Sequence, residues 1–117
     1  MSVRALVSVE EYLSTSYDPD VEYVDGVLME RHVGDWLHAL VQANIIAAFS
    51  IKYPDVFAVP ELRSKTRETR YRLPDVCVLP AAPATKYLID AAFLVIEILS
   101  EDDSMSRTME KLEELGY

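Results

Sequence analysis

The chain has 117 residues, enough for one domain with a real core and too few for two ordinary ones. Half of them are hydrophobic and about a quarter charged, and Cys77 is the only cysteine, which excludes whole-chain disorder, a collagen-like fibre and a disulfide scaffold. Twenty acidic residues against eleven Lys and Arg give a net charge of −9, so any contact with nucleic acid needs a local basic patch or metal ions rather than bulk attraction.

The first seven residues carry one positive charge and meet Glu10 and Glu11 too soon for a signal-peptide core. The longest purely apolar run, Ala91 to Ile96, is far short of the ~20 residues that span a bilayer. The expected address is the cytoplasm, as the lone cysteine also suits, and no membrane partner is expected.

Ser8 ahead of Glu10-Glu11-Tyr12-Leu13 predicts a short capped helix. Residues 14–20 predict a loop broken by Pro19. Val21 to Val24, Asp25-Gly26 and Val27 to Arg31 predict a β-hairpin, since Asp-Gly between alternating runs favours a type I′ turn. Gly34-Asp35 opens a long helix to about Tyr53. Leu37, Leu40, Val41, Asn44, Ile45, Ala48 and Phe49 follow helical spacing and are expected to form its buried face. Residues 56–63 and 70–79 predict two strands joined by a charged loop, 64–69. Residues 92–99 predict the strongest strand, central and covered on both faces, because Glu97 is its only polar member. A polar turn at 100–103 then leads, through an Asp or Ser cap, into a final helix over about 104–115. The order predicts one α/β or α+β layer over residues 1–117 as a single domain.

Glu97 is the odd residue. A carboxylate in so apolar a run must be paired, desolvated or bound to a cation. Equally, it could sit at the strand end beside a Lys or Arg. Asp75, in Arg72-Leu73-Pro74-Asp75-Val76-Cys77-Val78, enters an apolar strand from backbone that Pro74 holds extended, though Asp is also common in ordinary turns. Two acids at the ends of adjacent strands would lie a few ångströms apart, and one pKa would rise unless a divalent cation neutralised both. Magnesium accepts such a pair together with water and phosphate oxygens. Lys111, on the following helix, is the natural donor to orient water, or else a solvated partner of nearby acids. Arg63, Lys65, Arg67, Arg70 and Arg72 stand against Glu61 and Glu68. They are candidate DNA-backbone contacts, or a charged hairpin that discourages edge pairing.

Taken in order, several segments resemble the PD-(D/E)xK nuclease superfamily, and within it the Uma-two family of putative restriction endonucleases. They are residues 9–13, 22–28, the helix with His38, 72–78, 93–100, and 105–107 through Lys111 to 115–117. The resemblance implies a restriction-endonuclease-like mixed β-sheet core flanked by helices. It also implies a Mg²⁺- or Mn²⁺-dependent endonuclease acting on DNA. Asp75 and Glu97 would be the metal-binding acids and Lys111 the catalytic lysine, since Leu99 occupies the superfamily's usual lysine position. Asp35, His38 and Arg107 would be accessory. Relatives continue past the glycine matching Gly116 into strands absent here, so an open sheet edge and a homodimer or larger assembly are expected. The alternatives are a catalytically inactive nuclease-like module that binds a partner, and a toxin–antitoxin or phage-defence component completed by one.

Overall fold

In the computed structural model, which describes residues 6–31, 34–100 and 104–117, Ser8 caps the first helix as expected. Its Oγ accepts from the Glu11 N–H, one of the donors a helix start leaves unpaired. The elements in chain order are α1 (Val9–Ser14), β1 (Glu22–Val24), β2 (Val27–Met29), α2 (Trp36–Lys52), β3 (Phe57–Pro60), β4 (Ser64–Arg67), β5 (Arg70–Arg72), β6 (Val76–Leu79), β7 (Leu94–Ile96) and α3 (Met105–Glu114). The strands form a four-stranded sheet, β2-β1-β5-β4, and a three-stranded sheet, β3-β6-β7. Every ladder between these strands is antiparallel, and an isolated parallel bridge joins Ser64 to Leu88. No helix among the described residues is long and apolar enough to cross a membrane.

The β1–β2 hairpin turns at Asp25 (φ 49°) and Gly26 (φ 90°), the left-handed pair that a type I′ turn demands. Period-two alternation then divides the sheet. Tyr23 faces Tyr71, and both pack with Tyr12 of α1; the Tyr12 and Tyr23 ring centroids are 5.0 Å apart. The opposite face carries Glu22, Val24, Arg70 and Arg72. A second core joins Cys77, Leu79, Leu88 and Ala92, with Val59 and Val95 packed against them. Burial pushes the Cys77 thiol up to about 11, so it acts here as a small apolar side chain.

Several expectations need correction. Residues 64–69 are not a loop. They hold β4 and a tight turn, with β4 pairing to β5 through an irregularity between Lys65 and Arg67. Ser64 and Thr66 suit a strand without providing the apolar alternation that would reveal one. The strand expected over 56–63 ends at Pro60, where Glu61 has a φ of 49°. The one expected over 70–79 is divided by Leu73-Pro74-Asp75. Residues 92–99 contain only the three-residue β7, and it lies at a sheet edge. Phe93 is 75% exposed. The central strand is β6, whose four residues are all buried. Ser104 caps α3; the expected turn at 101–103 lies outside the described residues.

Arg63 also departs from expectation. It is buried, not displayed to solvent. Its Nε and Nη2 donate to Asp20 at 2.9 and 2.7 Å, and it also donates to the carbonyls of Tyr12 and Thr15. Its guanidinium lies 4.1 Å from the Tyr12 ring centroid. With its donors turned inward, it is a structural cation and not a DNA contact. Removing one partner of a buried pair costs about 3–5 kcal/mol. Arg63→Ala should therefore destabilise the chain by about 3 kcal/mol in urea unfolding, since Asp20 keeps some solvent. An unchanged midpoint would remove Arg63 from the core.

Candidate active site

Asp75 and Glu97 meet through strand register. Val76 pairs with Ile96 at the end of the β6–β7 ladder, so Asp75 and Glu97 are the next positions on neighbouring strands. Asp75 is 3% exposed, and both of its carboxylate oxygens have partners. Oδ2 accepts from the Ile98 N–H at 2.7 Å. Oδ1 accepts from Arg31 Nη2 at 2.8 Å and lies 3.3 Å from His38 Nε2. Arg31 also reaches Glu61 at 2.5 Å.

The end of α2 brings His38 into place. Asp35 is its N-cap and accepts from the His38 N–H at 2.9 Å. A Cβ at Gly34 would lie 2.6 Å from His38 Nδ1, so only glycine leaves room for the ring there. Asp35 thus caps the helix, while His38 contacts Asp75. Gln42, one turn on, donates to the Asp75 carbonyl at 2.7 Å.

Lys111 comes from α3. Its Nζ donates to the Leu73 carbonyl at 2.9 Å and lies 3.1 Å from Glu22 Oε2 and 3.3 Å from Glu97 Oε1. Glu22 also accepts from the Leu73 N–H at 2.7 Å. One turn along, Glu114 is buried between Arg72, at 2.8 Å, and Thr66. Burial opposes its ionisation, yet the hydrogen bonds from Arg72 and Thr66 prevail and hold its carboxyl below the usual range. These pairs set the height and rotation of α3 over the sheet, and so the reach of Lys111.

Glu97 is the least satisfied group. Its Oε2 accepts from Lys111 Nζ at 3.5 Å, but its buried Oε1 receives no hydrogen bond among the described residues, although the same Nζ stands 3.3 Å away. Its pKa is raised to about 7, first by burial; Lys111 lowers it, and Asp75 raises it again. Mutual repulsion is thus the smaller part of the rise, because each acid already has a cation. A cavity of about 520 Å³ opens here, lined by both acids, Lys111, His38, Arg31, Arg70, Arg72 and Arg107 among others.

The predicted site residues therefore divide. Asp75, Glu97, Lys111, His38 and Arg107 line one cavity, together with Arg70 and Arg72 of the basic run. Asp35, Arg63, Lys65 and Arg67 do not line it. Lys65 faces Glu68 at 3.6 Å, and Arg67 donates to backbone carbonyls of Thr66 and Glu114. Glu22 and Arg31 were missed. Glu22 had one signal, a carboxylate in a strand whose neighbours are Tyr and Val; Arg31 had none.

The donors present fit a divalent cation. Magnesium asks for one or two carboxylates and completes its shell with water and phosphate oxygens. Asp75 and Glu97 supply the carboxylates, and Glu97 Oε1 is a buried acceptor that no donor among the described residues hydrogen-bonds, with only the Lys111 ammonium facing it. No group of three or more His, Cys, Asp or Glu among the described residues forms an all-protein cage.

A family model described as "Uma2: Putative restriction endonuclease" matches residues 9–114. Among solved structures, the chain is similar to one described as a putative nuclease belonging to DUF820 from Anabaena variabilis ATCC 29413. The TM-score is 0.74 at 21% identity, with 93% of this chain and 67% of that chain covered. The likeness is one of fold, and it agrees with the restriction-endonuclease-like α/β core expected from sequence. No curated protein matches the chain.

The titration of Glu97 has a measurable consequence. Folded, it keeps its proton to about pH 7; its ordinary value is 4.5. Between these values the folded state binds more protons, so this group makes metal-free stability fall as pH rises through that window. Glu97→Gln should flatten this part of the profile in melts recorded in EDTA. A variant with the wild-type slope would show that another group is responsible.

Proposed function

We propose that this chain, which belongs to the Uma2 family of putative restriction endonucleases, hydrolyses DNA phosphodiester bonds with Mg²⁺ or Mn²⁺ held by Asp75 and Glu97. The observation that carries the reading is the buried Glu97 Oε1, without a hydrogen bond among the described residues, beside Asp75 in a cavity that also holds Lys111. A divalent ion supplies Lewis acidity toward a phosphoryl oxygen and acidifies water.

The chain's own residues do the rest. Glu22 and the Leu73 carbonyl hold the Lys111 ammonium in place before substrate arrives. It is then positioned to orient the attacking water and to offset charge on the phosphate, as preorganised charges do. Arg107 is exposed on the rim, and Arg70 and Arg72 stand behind it as phosphate contacts. Lys65 and Arg67 would flank them along a longer strand. Arg31 balances Asp75 while the site is empty of substrate, and His38 steadies the same oxygen. A cytoplasmic address goes with this reading.

The second reading is an inactive nuclease-like module that binds a partner. It is favoured by one observation: Asp75 and Glu97 each already have a resident cation, in Arg31 and Lys111.

Nicking of supercoiled plasmid separates the two. Mg²⁺-dependent cleavage is expected from the wild type and none from Asp75→Asn or Glu97→Gln with unchanged circular dichroism. Lys111→Ala should lose about 10²–10⁴-fold, the worth of a positioned catalytic group. Wild-type protein inert with every divalent ion would leave the binding module standing.

Metal binding can be read apart from activity. A ligand at a hundred times its Kd adds about 2.7 kcal/mol, and 1 kcal/mol moves Tm by about 4–8 °C at this size. Mn²⁺ should raise Tm by about 10 °C or more at that excess, beyond NaCl of equal ionic strength. An Asp75→Asn, Glu97→Gln protein that keeps the shift would place the ion elsewhere.

A further inference from the structure

Arg31, just past β2, lines two cavities at once. The first is the candidate active site. The second, of about 240 Å³, shares Arg31 and His38 with it and adds Asp20, Gln42 and Glu61. The rotation of α2 builds part of this wall. Val41, Gln42, Ile45 and Phe49 are half-buried, while Leu37, Leu40, Asn44 and Ala48 of the face expected from periodicity are exposed instead. His38 and Gln42 are thereby brought to Asp75.

The two oxygens of Asp75 are held in unlike ways. Oδ2 accepts from the Ile98 backbone N–H, which cannot leave without moving the chain beyond β7. Oδ1 meets side chains, Arg31 Nη2 at 2.8 Å and His38 Nε2 at 3.3 Å. A side chain can leave by turning about its own bonds. A divalent cation and a guanidinium repel each other at contact distance. A cation taken up between Asp75 and Glu97 therefore competes with Arg31 for Oδ1.

Arg31 has a second carboxylate within reach. Its Nη1 already donates to Glu61 at 2.5 Å, and the Glu61 side chain is half exposed. Release of Nη2 from Asp75 breaks one bond and keeps the other. Asp20 offers no equal hold, because both of its oxygens accept from Arg63. Glu61 is itself fixed in an uncommon backbone conformation. Its φ of 49° is left-handed, which few non-glycine residues adopt. Its N–H donates to the Pro74 carbonyl at 3.1 Å, which pins it beside the segment that carries Asp75. Strained backbone of this kind gathers at functional sites.

We propose that Arg31 is an exchangeable counter-ion of Asp75 and that Glu61 is the carboxylate that receives it. Arg31 neutralises Asp75 while no metal is bound, and it swings onto Glu61, in the second cavity, when a divalent cation binds. The inference rests on the reading of Asp75 and Glu97 as metal ligands. It makes Arg31 and Glu61 positioning residues. The cation resident on Asp75 is then a competitor for the metal site and not a replacement for the metal.

Calorimetric titration with Mn²⁺, without DNA, tests it on the wild type, Arg31→Gln, Glu61→Gln and the double variant. Arg31→Gln should lower the Mn²⁺ Kd about ten- to a hundredfold, the worth of one charge-assisted hydrogen bond read as an affinity ratio. Glu61→Gln should raise it about two- to fivefold, the range of a solvent-exposed ion pair. The double variant should match Arg31→Gln, because Glu61 acts through Arg31. A second measurement needs no variant that strips Asp75 of its charge partner. The guanidinium N–H signal of Arg31 in ¹⁵N NMR, assigned by its absence from Arg31→Lys, should move when Mg²⁺ is added to the wild type. Wild-type protein that binds Mn²⁺ with a Kd unchanged in Arg31→Gln overturns the proposal and leaves the metal site standing. So does an Arg31 signal indifferent to saturating Mg²⁺, or a Glu61→Gln effect of equal size with and without Arg31. Mn²⁺ that binds neither the wild type nor folded Arg31→Gln overturns the metal reading, and the proposal with it.

Discussion

The buried Asp75 carboxylate is the point on which the rest of the structure converges. One oxygen holds the Ile98 N–H, just past the end of β7, and the other holds Arg31, just past β2. The backbone carbonyl of the same residue receives Gln42 of α2, and His38 approaches from the turn before it. Hairpin, long helix and β7 are therefore positioned by one residue, at the place where Pro74 holds the chain extended ahead of β6. A buried carboxylate is tolerable only when its lone pairs are used and its charge is met. Here the requirement that satisfies the fold also assembles the candidate site. The cavity is where the elements cross, and not a pocket cut into a finished scaffold.

Part of this was legible in the sequence for a physical reason. Asp75 and Glu97 stand out because a carboxylate beside Val, Ile and Leu contradicts its neighbours. Lys111 follows once Glu97 needs a cation from the next helix. The residues that escaped notice are those whose surroundings hide their burial. Glu22 sits in a short hairpin strand and Arg31 just past one, where charge is ordinary, and their partners lie some 30 to 90 residues further along the chain. The basic run 63–72 misled in the opposite way. Contiguity suggested one patch, but strand alternation and the irregularity between Lys65 and Arg67 send its members to different places. Arg63 goes into the tyrosine core, Arg70 and Arg72 go to the cavity, and Lys65 goes elsewhere.

Two further departures share a cause. Apolar content reports that a surface wants cover, without saying what covers it. In β7 it suggested a central strand, and the strand lies at an edge. In α2 it produced a seven-residue face at helical spacing, yet apolar residues surround that helix, so the period alone could not tell which side turns inward. Turning was decided by Gln42 and His38, the two polar residues that reach Asp75. A polar contact thus fixed the rotation of an apolar helix.

The electrostatics of the cavity follow from the same economy of charge. Five acids and five Lys or Arg line it, in a chain that is acidic as a whole. Most of the cations have been drawn inward by carboxylates: Arg72 by Glu114, Arg31 by Asp75, and Lys111 by Glu22. Such pairs add little net stability once desolvation is counted, but they fix geometry. The Lys111 ammonium has three donors, and Leu73, Glu22 and Glu97 surround it. Its position is settled before any ligand arrives, which is the condition under which a charge contributes most to a reaction. Two of those acceptors, the Leu73 carbonyl and Glu22, lie close enough to hold it firmly. Glu97 completes the set through its Oε2, which accepts from Lys111 at 3.5 Å, while Lys111 approaches Oε1 without the alignment of a hydrogen bond. Among the described residues that oxygen is the buried side-chain acceptor left without a hydrogen bond, facing a cation whose firmer partners lie elsewhere.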